Sequence, residues 1–261
     1  MRVESLWQAA PAAHPLRPDE IQVWRAGLDV DPAVLAPWRE TLSSEERARA
    51  GRFRFPIDRD RYTAGRGILR ALLARYLGTP AGDFRFCLNA YGKPGLAAGS
   101  GAPELRFNLS HSHGLALFAF TLGREVGVDL ELVRTTLRSD SLAERFFSPQ
   151  EVAALRALPE SAQKEAFFHC WTRKEAYIKA RGAGLSINLA SFSVSLGPNP
   201  VTHLPIIGND GPEAGRWWLR ALALGSGYVG AVAAEGADWS LTLWQWPIPG
   251  GFVSPTVAEA R

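Results

Sequence analysis

The sequence predicts an α+β protein of two pseudo-symmetric halves, each a small antiparallel sheet packed with a long helix. Two observations carry this. Apolar residues recur at helical spacing in two long stretches, one before residue 80 and one before residue 182. GLALFAFTLGREVGVDLEL (residues 114–132) can also be laid without gaps on GYVGAVAAEGADWSLTLWQ (residues 227–245). Each copy of this weak repeat holds an apolar strand, a turn with Gly and a second apolar strand, at a distance after a long helix. Any two β-hairpins share that pattern. As a true repeat, it makes two similar halves joined near residues 123–133, divided as 1–126 and 127–247 with a tail at 248–261.

The elements follow in order. Residues 1–40 read as an irregular opening with one short strand near residues 21–25. Ser43, with Glu45 and Glu46 behind it, is an N-cap followed by carboxylates that suit the helix dipole. Over residues 60–77, Ile68, Leu69, Leu72, Leu73, Tyr76 and Leu77 share helical spacing, and Gly78 fits the C-cap. Residues 91–103, rich in Gly and Pro, read as a loop. Residues 105–109, 115–121 and 126–132 read as strands, separated by SHSHG and GRE turns. A second helical region runs from Pro149 to Arg181, and residues 185–246 alternate strands and turns. The closing PIPGGFVSPTVAEAR reads as a mobile tail.

Composition narrows the class. At 46% hydrophobic and 21% charged, the 261 residues are those of an ordinary globular protein. No apolar run approaches the roughly 20 residues of a membrane helix, and the N-terminus lacks the apolar core of a signal peptide. Cys87 and Cys170 stand apart without metal spacing, as two core thiols of a reduced, cytoplasmic protein would. Net charge is only +3, yet nine arginines lie between Arg47 and Arg75 against Asp58 and Asp60. Such a run attracts nucleic acid, a phosphorylated cofactor or an acidic protein, or it is a solvated helix face.

Four short motifs carry chemistry. In GVDLE, strand alternation points Asp129 and Glu131 one way and Val128, Leu130 and Leu132 the other. Adjacent carboxylates repel unless a cation sits between them, although an exposed edge strand would tolerate them. In WTRKEAYIKARGAG, Glu175 and Lys179 share a helix face, either as a surface ion pair or, beside Trp171, Tyr177 and Ile178, as partly buried charges that need a reason. A carboxylate and two lysines near two more carboxylates fit Mg2+ shared with a phosphate. In FNLSHSHG, His111 and His113 alternate, but no third ligand follows at zinc spacing, and Ser110 and His111 could bind phosphate instead. No nucleophile elbow accompanies them. YGKPG is a turn presenting Lys93.

In the order GKP, FNLSHS, GVDLE, FFSPQE, WTRKEAYIKARGAGL, the motifs resemble the Sfp-type 4'-phosphopantetheinyl transferases over roughly residues 43–186. The resemblance implies that family's fold of two pseudo-symmetric α+β halves, with coenzyme A and Mg2+ bound between them. It implies transfer of the 4'-phosphopantetheine arm to a serine of an acyl, peptidyl or aryl carrier protein, releasing 3',5'-ADP. Asp129, Glu131 and Glu175 correspond to the metal ligands, and Lys179 to the lysine on the CoA diphosphate, with Lys174 a nearby candidate. Glu175, or a water it holds, and Lys179 take the catalytic roles. Ser110 and His111 match the Ser-His contact with CoA phosphates, and Lys93 with Pro94 the GKP turn near the adenine nucleotide. Arg61 matches the arginine on the 3'-phosphate, and Arg49 a basic residue upstream. A further basic position falls near Glu46, leaving Arg47 as its substitute, and the first forty residues match nothing.

Asp129 and Glu131 align with Thr242 and Trp244 in the second copy, so one acidic site and one CoA per monomer are expected. Carrier proteins are acidic near the modified serine, which gives the arginine run a second use. Two other classes compete. A nucleic-acid-binding protein would use the run and need neither Asp129 nor Glu175. A Mg2+-dependent nucleotide hydrolase would cleave CoA without any carrier.

Overall fold

The structure is a computed structural model describing residues 6–11, 14–99, 104–134, 139–198, 204–205, 207–208, 215–225 and 227–247. The tail expected at 248–261 lies outside them. In chain order come β1 (Gln8–Ala9), β2 (Glu20–Gly27), α1 (Pro32–Thr41), α2 (Ser44–Ala50) and α3 (Pro56–Leu77). A small hairpin, β3 (Phe86–Leu88) and β4 (Pro94–Leu96), precedes β5 (Leu105–Ser112), β6 (Leu115–Leu122) and β7 (Val126–Leu132). Then follow α4 (Ser139–Phe146), α5 (Pro149–Arg156), α6 (Glu160–Arg181), β8 (Phe192–Ser193), β9 (Leu204–Pro205) and β10 (Ile207–Gly208). β11 (Trp217–Ala223), β12 (Tyr228–Glu235) and β13 (Ser240–Gln245) complete the described chain.

Local chemistry sets the helix ends. Ser43 and Glu46 form a reciprocal capping box at α2, and Ser148 with Glu151 does the same at α5. Pro56 opens α3, and Gly78 closes it in the left-handed region at φ 68°. α1 falls in the stretch expected to be irregular. Asp31 caps it and Pro32 enters its first turn, and its short apolar face, Leu35 and Trp38, packs only half-buried against the α3 core. Cys170 is buried, whereas Cys87, expected in the core, is exposed on the small hairpin.

The five-stranded first sheet runs β1-β13-β2-β6-β5, and the four-stranded second runs β7-β12-β11-β9. α3 covers the outer face of the first through Ile68, Leu69, Leu72 and Leu73 against Trp24, Phe118 and Phe120. α6 covers the second through Phe167, Ala176 and Ala180 against Leu219, Ala231 and Ala233. Between the sheets lies a third core of Ile21, Val23, Leu117 and Ala119 against Val126, Val128, Leu130, Leu132 and Val232. The layers are therefore helix, sheet, sheet, helix.

Neither repeat copy is a hairpin. β6 stays in the first sheet while β7 pairs with β12, Asp129 lying opposite Ala231. β12 stays in the second sheet while β13 crosses back beside β2, in parallel, with Thr242 opposite Gln22. Residues 240–245, expected in the second half, thus complete the sheet of the first. The sequence reading could not see this exchange, because a turn signal does not choose between a neighbouring strand and one a hundred residues away.

Candidate active site

β7 is where the two sheets meet, and its alternation is as read from the sequence. Val126, Val128, Leu130 and Leu132 fill the inter-sheet core, which leaves Gly127, Asp129 and Glu131 on the α6 side. Gly127 permits the approach: a Cβ there would collide with the Ala176 carbonyl oxygen and the Ala180 nitrogen of α6. With the helix laid on the strand, Lys179 reaches Asp129, its Nζ donating to Oδ1 at 2.6 Å.

The opposite edge of β7 is held by side chains of β5. Asn108, Ser110 and Ser112 point the same way by strand alternation. Asn108 Oδ1 accepts from the Val128 backbone at 2.9 Å, Ser110 donates to Asp129 at 2.8 Å, and Ser112 donates to Glu131 at 2.8 Å. Lys179 also donates to Ser110 Oγ at 2.9 Å. Asp129 Oδ1 thus has two donors, while Oδ2 is buried with no hydrogen-bond partner. An orphaned carboxylate oxygen in a protein interior is costly and marks a site.

Burial and neighbouring charge raise two of the carboxyls, Glu175 and Glu131. Burial pushes the Glu175 carboxyl up to about 7, Asp129 and Glu131 add to the rise, and Lys179 opposes it. Glu131 is also raised, first by burial and then by Asp129, against its hydrogen bond from Ser112. His111 is exposed to solvent, yet desolvation by the surrounding protein, then Lys179 and Arg61, hold its imidazole below the ordinary value. Anionic and cationic groups therefore face each other, Asp129, Glu131 and Glu175 against Lys179 and Arg61, with the His111 ring favoured neutral beside them.

The structure brings together Arg61, Ser110, His111, Asp129, Glu131, Glu175 and Lys179, but it sorts the other sequence candidates differently. Arg61 makes a two-point contact with Asp29 at 2.6 and 2.9 Å. Gly114 makes room for that pair, since a Cβ there would meet the Asp29 carboxylate. Lys174, a candidate for the diphosphate, is fully buried instead. Its ammonium pairs with Glu151 at 2.7 Å and donates to the Leu189 and Phe192 carbonyls at 2.7 and 2.6 Å, so no N–H is left for a ligand. The Lys93 ammonium is likewise engaged, with Glu125 at 2.6 Å and the Ala180 and Val126 carbonyls at 2.9 and 3.2 Å. Its stem and Pro94 line a cavity of about 560 Å³ with Leu96, Arg106 and Phe107.

Most of the arginine run is spent inside the protein. Arg66 and Arg70 neutralise the buried Glu46, Arg59 pairs with Asp60, and Arg61 with Asp29. Arg75 donates to the Pro11 carbonyl, Arg47 to the Leu42 carbonyl, and Arg49 lies over the Tyr62 ring at 5.7 Å. Glu46, at a position expected to be basic, is thus the anchor of a structural ion-pair cluster. Arg47 does not substitute for a phosphate ligand, because it is turned toward its own helix start.

Sequence reading missed Asn108, Ser112 and Asp29. The first two carried a signal, since N-x-S-x-S is a period-2 polar stripe along one face of the strand. Asp29 carried none, because its partner lies 32 residues away.

Among the described residues, no three acidic, histidine or cysteine side chains stand in metal-holding geometry. The chemistry nevertheless fits a hard divalent cation: an all-oxygen donor set, Glu131 and Glu175 raised first by burial and then by Asp129, and a buried Asp129 oxygen without a partner. A cation there would share Asp129 with the Lys179 ammonium.

Comparison with known proteins fits this architecture. Residues 33–121 match the family model described as 4'-phosphopantetheinyl transferase, N-terminal, and residues 125–233 match that of the 4'-phosphopantetheinyl transferase superfamily. The chain is 41% identical over 244 residues to 4'-phosphopantetheinyl transferase HetI of Nostoc sp., covering 94% of this chain and 100% of that protein. It is 32% identical over 198 residues to 4'-phosphopantetheinyl transferase Sfp of Bacillus subtilis, covering 76% of this chain and 84% of the relative. Human L-aminoadipate-semialdehyde dehydrogenase-phosphopantetheinyl transferase is 29% identical over 213 residues, 77% of this chain and 69% of its own. With family models matching residues 33–121 and 125–233 and a relative 41% identical over 94% of the chain, the protein belongs to the 4'-phosphopantetheinyl transferase superfamily.

Proposed function

We propose that this chain transfers the 4'-phosphopantetheine arm of coenzyme A to a serine of an apo acyl, peptidyl or aryl carrier protein, in a Mg2+-dependent reaction that releases 3',5'-ADP. The observation that carries the reading is Asp129. Its buried carboxylate, one oxygen orphaned and the other held by Lys179 and Ser110, stands between cationic groups suited to a diphosphate and two carboxyls suited to a metal. Mg2+ held by Asp129, Glu131 and Glu175 would supply Lewis-acid neutralisation of the diphosphate charge.

The chain's own groups account for the rest. Phosphoryl transfer needs alignment and charge neutralisation more than covalent help. Lys179, 30% exposed at its side chain, offers charge toward the cleft and balances the leaving nucleotide. Ser110 and His111 are placed to contact phosphate, and Arg61 to read the 3'-phosphate by exchanging Asp29 for it. The cavity beside Pro94 is the candidate seat of the adenine nucleotide. Glu175, with its carboxyl near neutrality, accepts the proton of the attacking serine through a water.

Both faces of the site come from one chain, which supports a monomer binding one CoA. Its setting is the cytoplasm; no helix of the described residues is long and apolar enough to cross a membrane. Incubation with CoA, Mg2+ and a panel of apo carriers, read by intact mass, should add one phosphopantetheine per carrier. Calorimetry should give about one CoA per chain, as expected of a single cleft. Cleavage of CoA with no carrier modified would favour the hydrolase.

A further inference from the structure

Residues 51–57, from the end of α2 into the first turn of α3, are exposed without a break. They hold Phe53, Phe55 and Ile57, three of the five large hydrophobic side chains exposed among the described residues, at 39%, 54% and 51%. Single exposed apolar residues need no explanation, but three at alternate positions of one segment make a patch of the kind that meets a partner. Arg52 and Arg54 are interleaved with them. Arg54 lies over the Phe55 ring at 5.3 Å, and neither arginine has an ion-pair partner among the described residues. They stand out because six of the other seven arginines of the run donate to carboxylates or carbonyls within the protein, while Arg49 meets only the Tyr62 ring.

The patch also borders the candidate site. Ile57 and Arg61 are four apart in α3 and so share a face of that helix. A partner resting on residues 52–57 is one helical turn from the phosphate-binding cluster.

We propose that Arg52, Phe53, Arg54, Phe55 and Ile57 form the docking face for the carrier protein, which meets them with an apolar surface flanked by carboxylates. The inference rests on the function proposed above and names the surface it requires. Charge complementarity selects this occupant: two unpaired guanidinium groups framing three apolar side chains call for an acidic, amphipathic face. A second copy of the chain is disfavoured, since a two-fold contact would set the arginines against themselves. Nucleic acid fits less well, because six arginines of the nine are already committed to carboxylates or carbonyls of the protein and are not free to follow a phosphate backbone.

The double variant Phe55→Ser/Ile57→Ser should raise KM for the carrier about tenfold, as removal of central apolar contacts does. Its kcat and its calorimetric CoA affinity should stay within about twofold of wild type. Arg52→Glu/Arg54→Glu should raise the same KM and flatten the salt dependence of kcat/KM, because screening then has less attraction to weaken. All four side chains are exposed, and a thermal melt checks that the fold is kept. An unchanged carrier KM would overturn the proposal. So would a parallel loss of CoA affinity, which would assign the patch to the donor, or loss of binding to phosphatidylserine vesicles with carrier KM unaltered, which would assign it to lipid. If the wild type modifies no carrier at all, the proposed function falls and this surface with it; an active wild type with unaffected variants removes the surface alone.

Discussion

α6 carries two lysine–carboxylate pairs five residues apart, and they are opposites. Lys174–Glu151, at 2.7 Å, has side chains 0% and 2% exposed, and every polar atom is used: Glu151 also caps Ser148 and accepts from Val194. Lys179–Asp129, at 2.6 Å, is 30% and 6% exposed and leaves Asp129 Oδ2 without a partner. The first pair is closed and joins α6 to α5 and the 189–194 segment. The second is open, with the Lys179 side chain reaching solvent and Asp129 Oδ2 unsatisfied. Distance alone does not separate a structural ion pair from a functional one; the satisfaction of the remaining valences does.

That contrast can be broken most severely at the closed pair. Lys174→Met leaves a buried carboxylate unpaired and should cost about 3–5 kcal/mol of stability, read by chemical denaturation. The double variant Lys174→Met/Glu151→Gln should recover part of that loss, since it removes both charges. A single variant as stable as wild type would show that the pair does not hold α6.

At the open pair the effect should fall on activity. Asp129→Ala should lower transfer by more than the roughly 10–100-fold typical of losing a group behind a metal ligand, with folding intact by circular dichroism. Turnover near wild type would remove Asp129 from the site.

Glu175 sharpens the comparison through pH. Its carboxyl is raised from 4.5 to about 7 in the folded protein. The native state therefore binds the proton more tightly than the unfolded chain, and the stability it contributes is present below pH 4.5 and lost as pH rises to about 7. Metal-free wild type should lose on the order of 1–3 kcal/mol across that window, and Glu175→Gln should flatten the decline. An identical slope in the variant would disprove strain at this carboxyl.

The smallest effect is expected at Arg61. Arg61→Ala should weaken use of CoA about tenfold, as loss of a charge-assisted hydrogen bond does, while sparing dephospho-CoA. Equal losses with both donors would make Arg61 a partner of Asp29 alone.

Much of this was legible in the residues. Strand alternation in GVDLE, the Glu175–Lys179 spacing on a helix, and the Ser43 and Gly78 caps are local relations, fixed by φ/ψ preferences and by 2.0- and 3.6-residue periods. They put Asp129 and Glu131 on one side of β7 before any tertiary contact was known. α1 stayed hidden because its apolar face is only two residues, Leu35 and Trp38, half-buried against α3, which is too short a stretch to set a period.

The tertiary structure decided which charges were free. Lys174 and Lys179 look alike in the sequence, as do Arg52 and Arg66. Their roles depend on Glu151, Asp129 and Glu46, which lie 23, 50 and 20 residues away in the chain. The crossing of β7 and β13 between sheets was decided there too, because pairing energy is collected only when distant strands meet. Sequence alone determined which groups could do chemistry and which way they point. Only long-range packing, by satisfying some of those groups completely and leaving Asp129 half satisfied, determined where the chemistry can occur.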